Sequence, residues 1–158
     1  AGSLLLLNGL ELVTAESCTG GLLGSYITDV PGSSEYYLGG VIAYENPVKE
    51  KILGVAQLTL ERFGAVSSEC VIEMATGIRR LYGAVFAFDN IIGLSTSGIA
   101  GPGGGTPLKP VGATWVGISH RYGEFGRLFH WEENRWLNKQ QTVTAALELL
   151  IENLKNFG

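Results

Sequence analysis

Apolar positions along the chain alternate between strand-like and helix-like spacing, and the polar residues that interrupt them fall at the junctions. Leu10, Leu12 and Val13 read as a short strand, and Leu22, Leu23, Tyr26 and Ile27 follow at helical spacing. The run Thr14-Ala15-Glu16-Ser17-Cys18-Thr19-Gly20-Gly21 therefore falls on a strand-to-helix turn. Asp29 to Ser34 is a dense turn signal, and Tyr36 to Tyr44 has the aromatic and β-branched bias of a strand that Tyr44 would close. Asn46-Pro47 supplies a helix start with Asn46 as the cap; Lys49 falls in the first turn and Gly54 stops the helix. Residues 56–63 allow a short helix, and Ser67 or Ser68 caps a longer one with Val71, Ala75, Ile78 and Tyr82 on one face.

The second half repeats the alternation. Ile91 to Thr96 is compact enough for a buried strand, and it runs into a glycine loop, Ser97-Gly98-Ile99-Ala100-Gly101-Pro102-Gly103-Gly104-Gly105-Thr106. Val111 to His120 predicts a further strand, Arg127 to Trp131 pairs with it as a hairpin, and Gly123 lies in the intervening turn. Trp136, Val143, Leu147, Leu150, Ile151 and Leu154 recur at helical steps and predict a last amphipathic helix. Interleaved strands and helices predict an α/β fold: a single layered α/β/α domain over residues 1–158, with a mixed, partly antiparallel sheet.

Composition narrows the function classes. A chain of 158 residues, 46% hydrophobic and 16% charged, suits one buried core, and a net charge of −4 argues against a broad basic surface for nucleic acid. Cys18 and Cys70 form neither a CxxC pair nor a Cys/His cluster, so no metal or disulfide scaffold is expected, and a reducing cytoplasm fits. Leu4 to Leu7 is too short for a membrane span and lacks the flanks of a leader peptide. Small-molecule chemistry without a cofactor is the expectation.

The turn at residues 14–21 is the richest candidate site. A helix N-terminus offers unpaired amides and partial positive charge to an oxyanion or phosphate, and it lowers the pKa of a nearby thiol. Ser17 and Cys18 are both candidate nucleophiles there. A serine hydroxyl needs a base, and Lys49 at a helix start, if buried, is driven toward its neutral form. Glu16 reads equally as a substrate contact or as a capping acid, and Asn46 more as a cap than as a substrate contact. The glycine loop lacks the Gly-Lys-Ser/Thr ending of a P-loop and the spacing of a dinucleotide fingerprint, so it predicts backbone cradling of an amide or phosphate without nucleotide hydrolysis. Arg135 and Lys109 are candidate phosphate partners. Trp115, Trp131 and Trp136 read as core or subunit packing, and His120 and His130 as structural or surface residues.

Four ordered motifs carry a family resemblance: Ala15-Glu16-Ser17-Cys18-Thr19-Gly20-Gly21, Gly40 to Lys49, Gly64-Ala65-Val66-Ser67, and Ser97-Gly98-Ile99-Ala100-Gly101-Pro102 with Lys109-Pro110-Val111-Gly112. Together they resemble the C-terminal domain of the competence/damage-inducible protein CinA over nearly the whole chain. The resemblance implies a nicotinamide-nucleotide amidase of pyridine nucleotide salvage, which hydrolyses nicotinamide mononucleotide to nicotinic acid mononucleotide and ammonia without a metal, in an oligomer. It places the nucleophile on Ser17, its helpers on Tyr44 and Lys49, a hydroxyl on Ser97 and an arginine on Arg135. Backbone and side chains of Glu16, Thr19, Gly20, Gly21, Asn46, Gly98 and Gly101 are then expected to bind substrate. The chain departs from the family pattern at Glu45-Asn46 and at Glu132-Glu133-Asn134, which leaves a catalytically silent nucleotide-binding module as the alternative. Its opening segment is shorter than the family's usual first helix, and the larger partner domain is absent from it.

Overall fold

The computed structural model describes residues 1–157. Helix α1 (Gly2–Leu7) precedes β1 (Glu11–Glu16) and α2 (Leu22–Thr28); β2 (Tyr37–Ile42) then leads to α3 (Asn46–Leu53), α4 (Gln57–Arg62) and α5 (Ser68–Gly83). Strands β3 (Ile91–Gly98), β4 (Ala113–His120) and β5 (Gly123–His130) follow, and α6 (Arg135–Lys155) closes the order. The five strands form one sheet in the order β2-β1-β3-β4-β5. β2, β1 and β3 are parallel, whereas β4 and β5 run antiparallel to their neighbours, so the sheet is mixed as predicted.

Side-chain alternation divides the core in two. Val13, Ala15 and Ile91 face α3 and α5 with Leu53, Cys70, Met74 and Ile78. Leu12, Ile92, Leu94, Val116 and Ile118 face the opposite layer, where Leu5, Leu23, Ile27, Val143, Leu149 and Leu150 come from α1, α2 and α6. The sheet is thereby sandwiched between helices. The central strands β1 and β3 are buried along almost their whole length, as strands covered on both faces are.

Small residues let α5 approach the sheet closely. An added Cβ on Gly93 would lie 2.1 Å from the Ala75 carbonyl oxygen, and one on Gly117 would lie 2.4 Å from that of Val71. Ser95 between them donates to the Val71 carbonyl at 2.6 Å. This close seating brings the segment before α5, which carries Ala65 and Val66, to the ends of β1 and β3.

Several boundaries differ from the sequence pattern for identifiable reasons. β2 stops at Ile42 and leaves Tyr44 beyond it, because its only partner, β1, ends at Glu16 opposite Ile42. β3 instead continues to Gly98, since β4 still pairs with it there. Gly123 is not in the turn: it pairs with His120 as the first residue of β5, leaving Arg121-Tyr122 as a two-residue hairpin loop. Asn46 is not the cap of α3. Glu45 holds the extended capping position, and Asn46 is the first helical residue.

The connection β1 to β2 passes over one face through α2, and the connection β2 to β3 passes over the other through α3, α4 and α5. From its carboxyl end β1 leads on to β2, on one side of the pair β1–β3, and β3 leads on to β4, on the other, so the chain leaves the two adjacent strand ends in opposite directions. Such a switch point opens a crevice between the two strand ends, the usual ligand position in open α/β sheets.

Candidate active site

A cleft of about 280 Å³ occupies that switch point, lined by Ser17 and Cys18 after β1, by Tyr44, Asn46 and Lys49 around the start of α3, and by Ser97, Gly98 and the glycine loop after β3. Ala65, Val66 and Arg135 complete its walls. The larger apolar hollow, about 440 Å³ beside α1 and Tyr36, contains none of these groups.

Ser17 is held at the turn by its backbone, whose amide donates to the Thr96 carbonyl at 2.9 Å and whose carbonyl accepts from Gly20 at 3.1 Å. Its hydroxyl makes no hydrogen bond to the described residues and opens to the cleft. The amide of Cys18, beside its own thiol sulfur, donates to no carbonyl among the described residues and is the backbone donor next to the serine on the cleft.

Lys49 is only 1% exposed. Its ammonium nitrogen donates to the carbonyls of Ala43 at 2.8 Å and Tyr44 at 2.9 Å. No carboxylate pairs with it among the described residues. Burial lowers its pKa against the weaker opposing influence of neighbouring groups, among them Glu45. A neutral amine can still donate both of its hydrogens to those carbonyls, which leaves its lone pair in the remaining tetrahedral direction.

Glu16 resolves differently from either-or. It is 3% exposed, and its carboxylate accepts from the Thr19 hydroxyl at 2.6 Å, from the Gly21 and Leu23 amides at 3.0 Å and from the Gly24 amide at 2.8 Å. It caps α2 from within the protein and consumes the amides that the sequence offered to a ligand. Thr19 is fully buried between Glu16 and Thr96. Gly20 and Gly21, at φ +60° and +96°, form the left-handed turn into α2 behind the cleft. The expectation that Glu16, Thr19, Gly20 and Gly21 line the binding surface is therefore corrected: they build the turn, while Cys18 and Ser17 face the cavity.

The Ser97 hydroxyl donates to the Ala65 carbonyl at 2.7 Å, so it faces the cleft as an acceptor. Tyr44 holds Lys49 through its backbone carbonyl, whereas its phenol, on a residue 53% exposed, accepts from Arg135 at 3.1 Å. Arg135 also donates to the Gly101 carbonyl at 2.7 Å and so ties the glycine loop to the Tyr44 segment. Asn46, Gly98 and Gly101 line the cleft, and Asn46 is free of capping duty. Lys109 is committed to the Phe63 carbonyl.

Cys18 lines the cleft, but burial first, with the charge of Glu16 adding to it, pushes its thiol up to about 12. The helix start that should have favoured a thiolate is already neutralised by Glu16. Native protein at neutral pH should accordingly react with iodoacetamide at Cys18 at least about a hundredfold more slowly than unfolded protein, as mass spectrometry of the alkylated peptide will report. Equal rates in the two states would restore the thiol as a candidate nucleophile.

The CinA C-terminal domain model matches residues 1–154. The chain belongs to the CinA C-terminal domain family. Among its relatives, a putative competence-damage inducible protein of Halothermothrix orenii is 49% identical over 98% of this chain and 36% of that protein. A CinA-like protein of Salinibacter ruber is 44% identical over 93% of this chain and 34% of its own length. The chain thus spans about a third of the length of such curated relatives. A CinA superfamily crystal structure from Klebsiella pneumoniae superposes with a TM-score of 0.89 at 34% identity, over 98% of this chain and 92% of that one. A competence/damage-inducible protein structure from Agrobacterium tumefaciens gives 0.83 at 35% identity, over 98% and 97% of the two chains.

Within this CinA domain, sequence reasoning missed Asn138. Asn138 is buried and donates to the carbonyls of Ala100 at 3.0 Å and Glu133 at 2.9 Å, while accepting from the Glu133 amide at 3.1 Å. It and Arg135, three residues apart on α6, grip successive carbonyls of the glycine loop. The available signal was its spacing from Arg135 at the start of an amphipathic helix. Among the described residues no cluster of three or more His, Cys, Asp or Glu side chains is placed to hold a metal ion, and no helix is long and apolar enough to cross a membrane.

Proposed function

We propose that this domain is an amidohydrolase that deamidates nicotinamide mononucleotide to nicotinic acid mononucleotide and ammonia, with Ser17 as nucleophile and Lys49 as general base. The observation that carries this reading is the unengaged Ser17 hydroxyl in the same cleft as a buried lysine held by two carbonyls and driven toward neutrality.

The Lys49 amine accepts the Ser17 proton as the oxygen attacks the carboxamide carbon. Charge then develops on the carboxamide oxygen, for which the Cys18 amide, on the cleft, is the available backbone donor. The Lys49 ammonium returns the proton to the departing nitrogen, and ammonia leaves with the C–N bond broken. Water, deprotonated by the same amine, attacks the acyl-serine and releases the carboxylate with Ser17 restored. Ser97, acceptor-only toward the cleft, suits the N–H side of the carboxamide. Arg135 lines the cleft and suits the nucleotide phosphate.

Purified protein incubated with nicotinamide mononucleotide should release ammonia and nicotinic acid mononucleotide in equal amounts over many turnovers. Stoichiometric binding without product would make the domain a silent nucleotide-binding module.

A further inference from the structure

The order of side chains across the cleft follows from the sheet beneath it. Val13 and Ala15 of β1 face α3 and α5, and Ser17 continues their alternation one residue past the strand. On β3, Ser95 donates to the Val71 carbonyl of α5, and Ser97, two residues on, donates to the Ala65 carbonyl before that helix. Glu16 pairs with Thr96 in the parallel register, and the Ser17 amide donates to the Thr96 carbonyl. Ser17 and Ser97 therefore stand side by side on one face, at the roughly 5 Å spacing of neighbouring strands. On the other flank of Ser17, the segment after β2 is tied to β1 by the Ala43 amide and supplies the Ala43 and Tyr44 carbonyls that hold Lys49. A group attacked by Ser17 thus has the amine on one side and the Ser97 oxygen on the other.

Ser97 is 1% exposed and lines the cleft. Its proton is committed, because the Ala65 carbonyl, 2.7 Å away, has no other donor among the described residues. Turning the hydroxyl toward a ligand would strand that carbonyl. The oxygen offers the cleft lone pairs only, which attract an N–H and repel a second acceptor. A carboxamide carries hydrogens on its nitrogen; the carboxylate left after deamidation carries none.

We propose that Ser97 is a specificity-determining residue that accepts a hydrogen bond from the carboxamide nitrogen and thereby disfavours the acid product of the same reaction. This rests on the deamidase reading, since it concerns the two ends of that hydrolysis. Replacing the amino group by a negative oxygen removes the donor and sets an acceptor against Ser97, so hydrolysis itself loosens the ligand. Contacts to ring, ribose and phosphate are common to both ligands and cancel from the comparison.

Calorimetric titration of nicotinamide mononucleotide and nicotinic acid mononucleotide into the Ser17→Ala protein, which lacks the proposed nucleophile, reads both affinities. The amide should bind at least about tenfold tighter than the acid. Adding Ser97→Ala should weaken the amide about tenfold and leave the acid unchanged or tighter, which abolishes most of the preference. A Ser97 with a purely structural role would weaken both ligands alike. Such an equal loss, an unchanged preference, or acid binding as tightly as amide to the Ser17→Ala protein overturns the proposal, and the last result needs no Ser97 variant to fold. Ammonia release from the unaltered chain separates the two readings. With turnover intact, any of those three results removes the Ser97 role alone. Without turnover, an amide preference that depends on Ser97 keeps the contact and removes the reaction, and binding of neither ligand overturns both.

Discussion

Replacing Lys49 by methionine should lower deamidase turnover by at least about a thousandfold, and Ser17→Ala should do the same, with the double variant no worse than either alone. Methionine keeps the apolar stem in its buried slot and removes only the amine. The carbonyls of Ala43 and Tyr44 lose their donor, at a cost of about 1–3 kcal/mol each. Relief of the desolvated amine offsets part of that, so the variant should remain folded and the lost rate should be chemical. In the unaltered chain kcat/KM should rise with pH through a pKa below the ordinary lysine value and then level, because in the proposed mechanism the active form is the neutral amine, and burial lowers its pKa. Stability runs in the same sense. The unfolded chain binds the proton more tightly, so in the window between the lowered folded pKa and the ordinary lysine value stability increases with pH, and below that window the ammonium is carried at a cost. Steady-state rates from near-neutral to alkaline pH, alongside urea titrations, read both. A Lys49→Met protein that turns over at the unaltered rate removes lysine from the chemistry.

Glu16→Ala should cost about 3–5 kcal/mol of stability, more than any other single change outside the apolar core. The substitution strands three backbone amides at Gly21, Leu23 and Gly24 together with the Thr19 hydroxyl, and Thr19 and Leu23 are fully buried. Glu16→Gln should also destabilise, because an amide group can offer an oxygen to only one side of this donor cluster and turns N–H groups toward the other. The shift should appear as a lower urea midpoint with an unchanged slope. A Glu16→Ala protein within about 1 kcal/mol of the unaltered chain, but with a raised KM, would return Glu16 to the substrate.

Much of this was legible in the sequence because apolar spacing reports which faces are buried. The strand at Leu12 and Val13, the junction at Ser17, the stop at Gly54 with φ +69° and the long final helix all follow from local pattern. What escaped depends on groups distant along the chain. Strand ends were set by the length of the neighbouring strand, as at Tyr44 and Gly98. Residues of one turn divided between the cleft and the turn behind it, which separated Ser17 and Cys18 from Thr19, Gly20 and Gly21. Ser97 kept its place but lost its free proton to Ala65, a contact that exists only because α5 sits so close to the sheet.

The turn carrying Ser17 is pinned to β3 by the Thr96 carbonyl, and Thr19 and Thr96 share a hydrogen bond across 77 positions of chain. Such long-range pairings close late, after local helices have formed. Recovery of the proposed deamidase turnover during refolding should therefore trail the return of helical signal. The emergence of activity then serves as a clock for the completion of the central sheet.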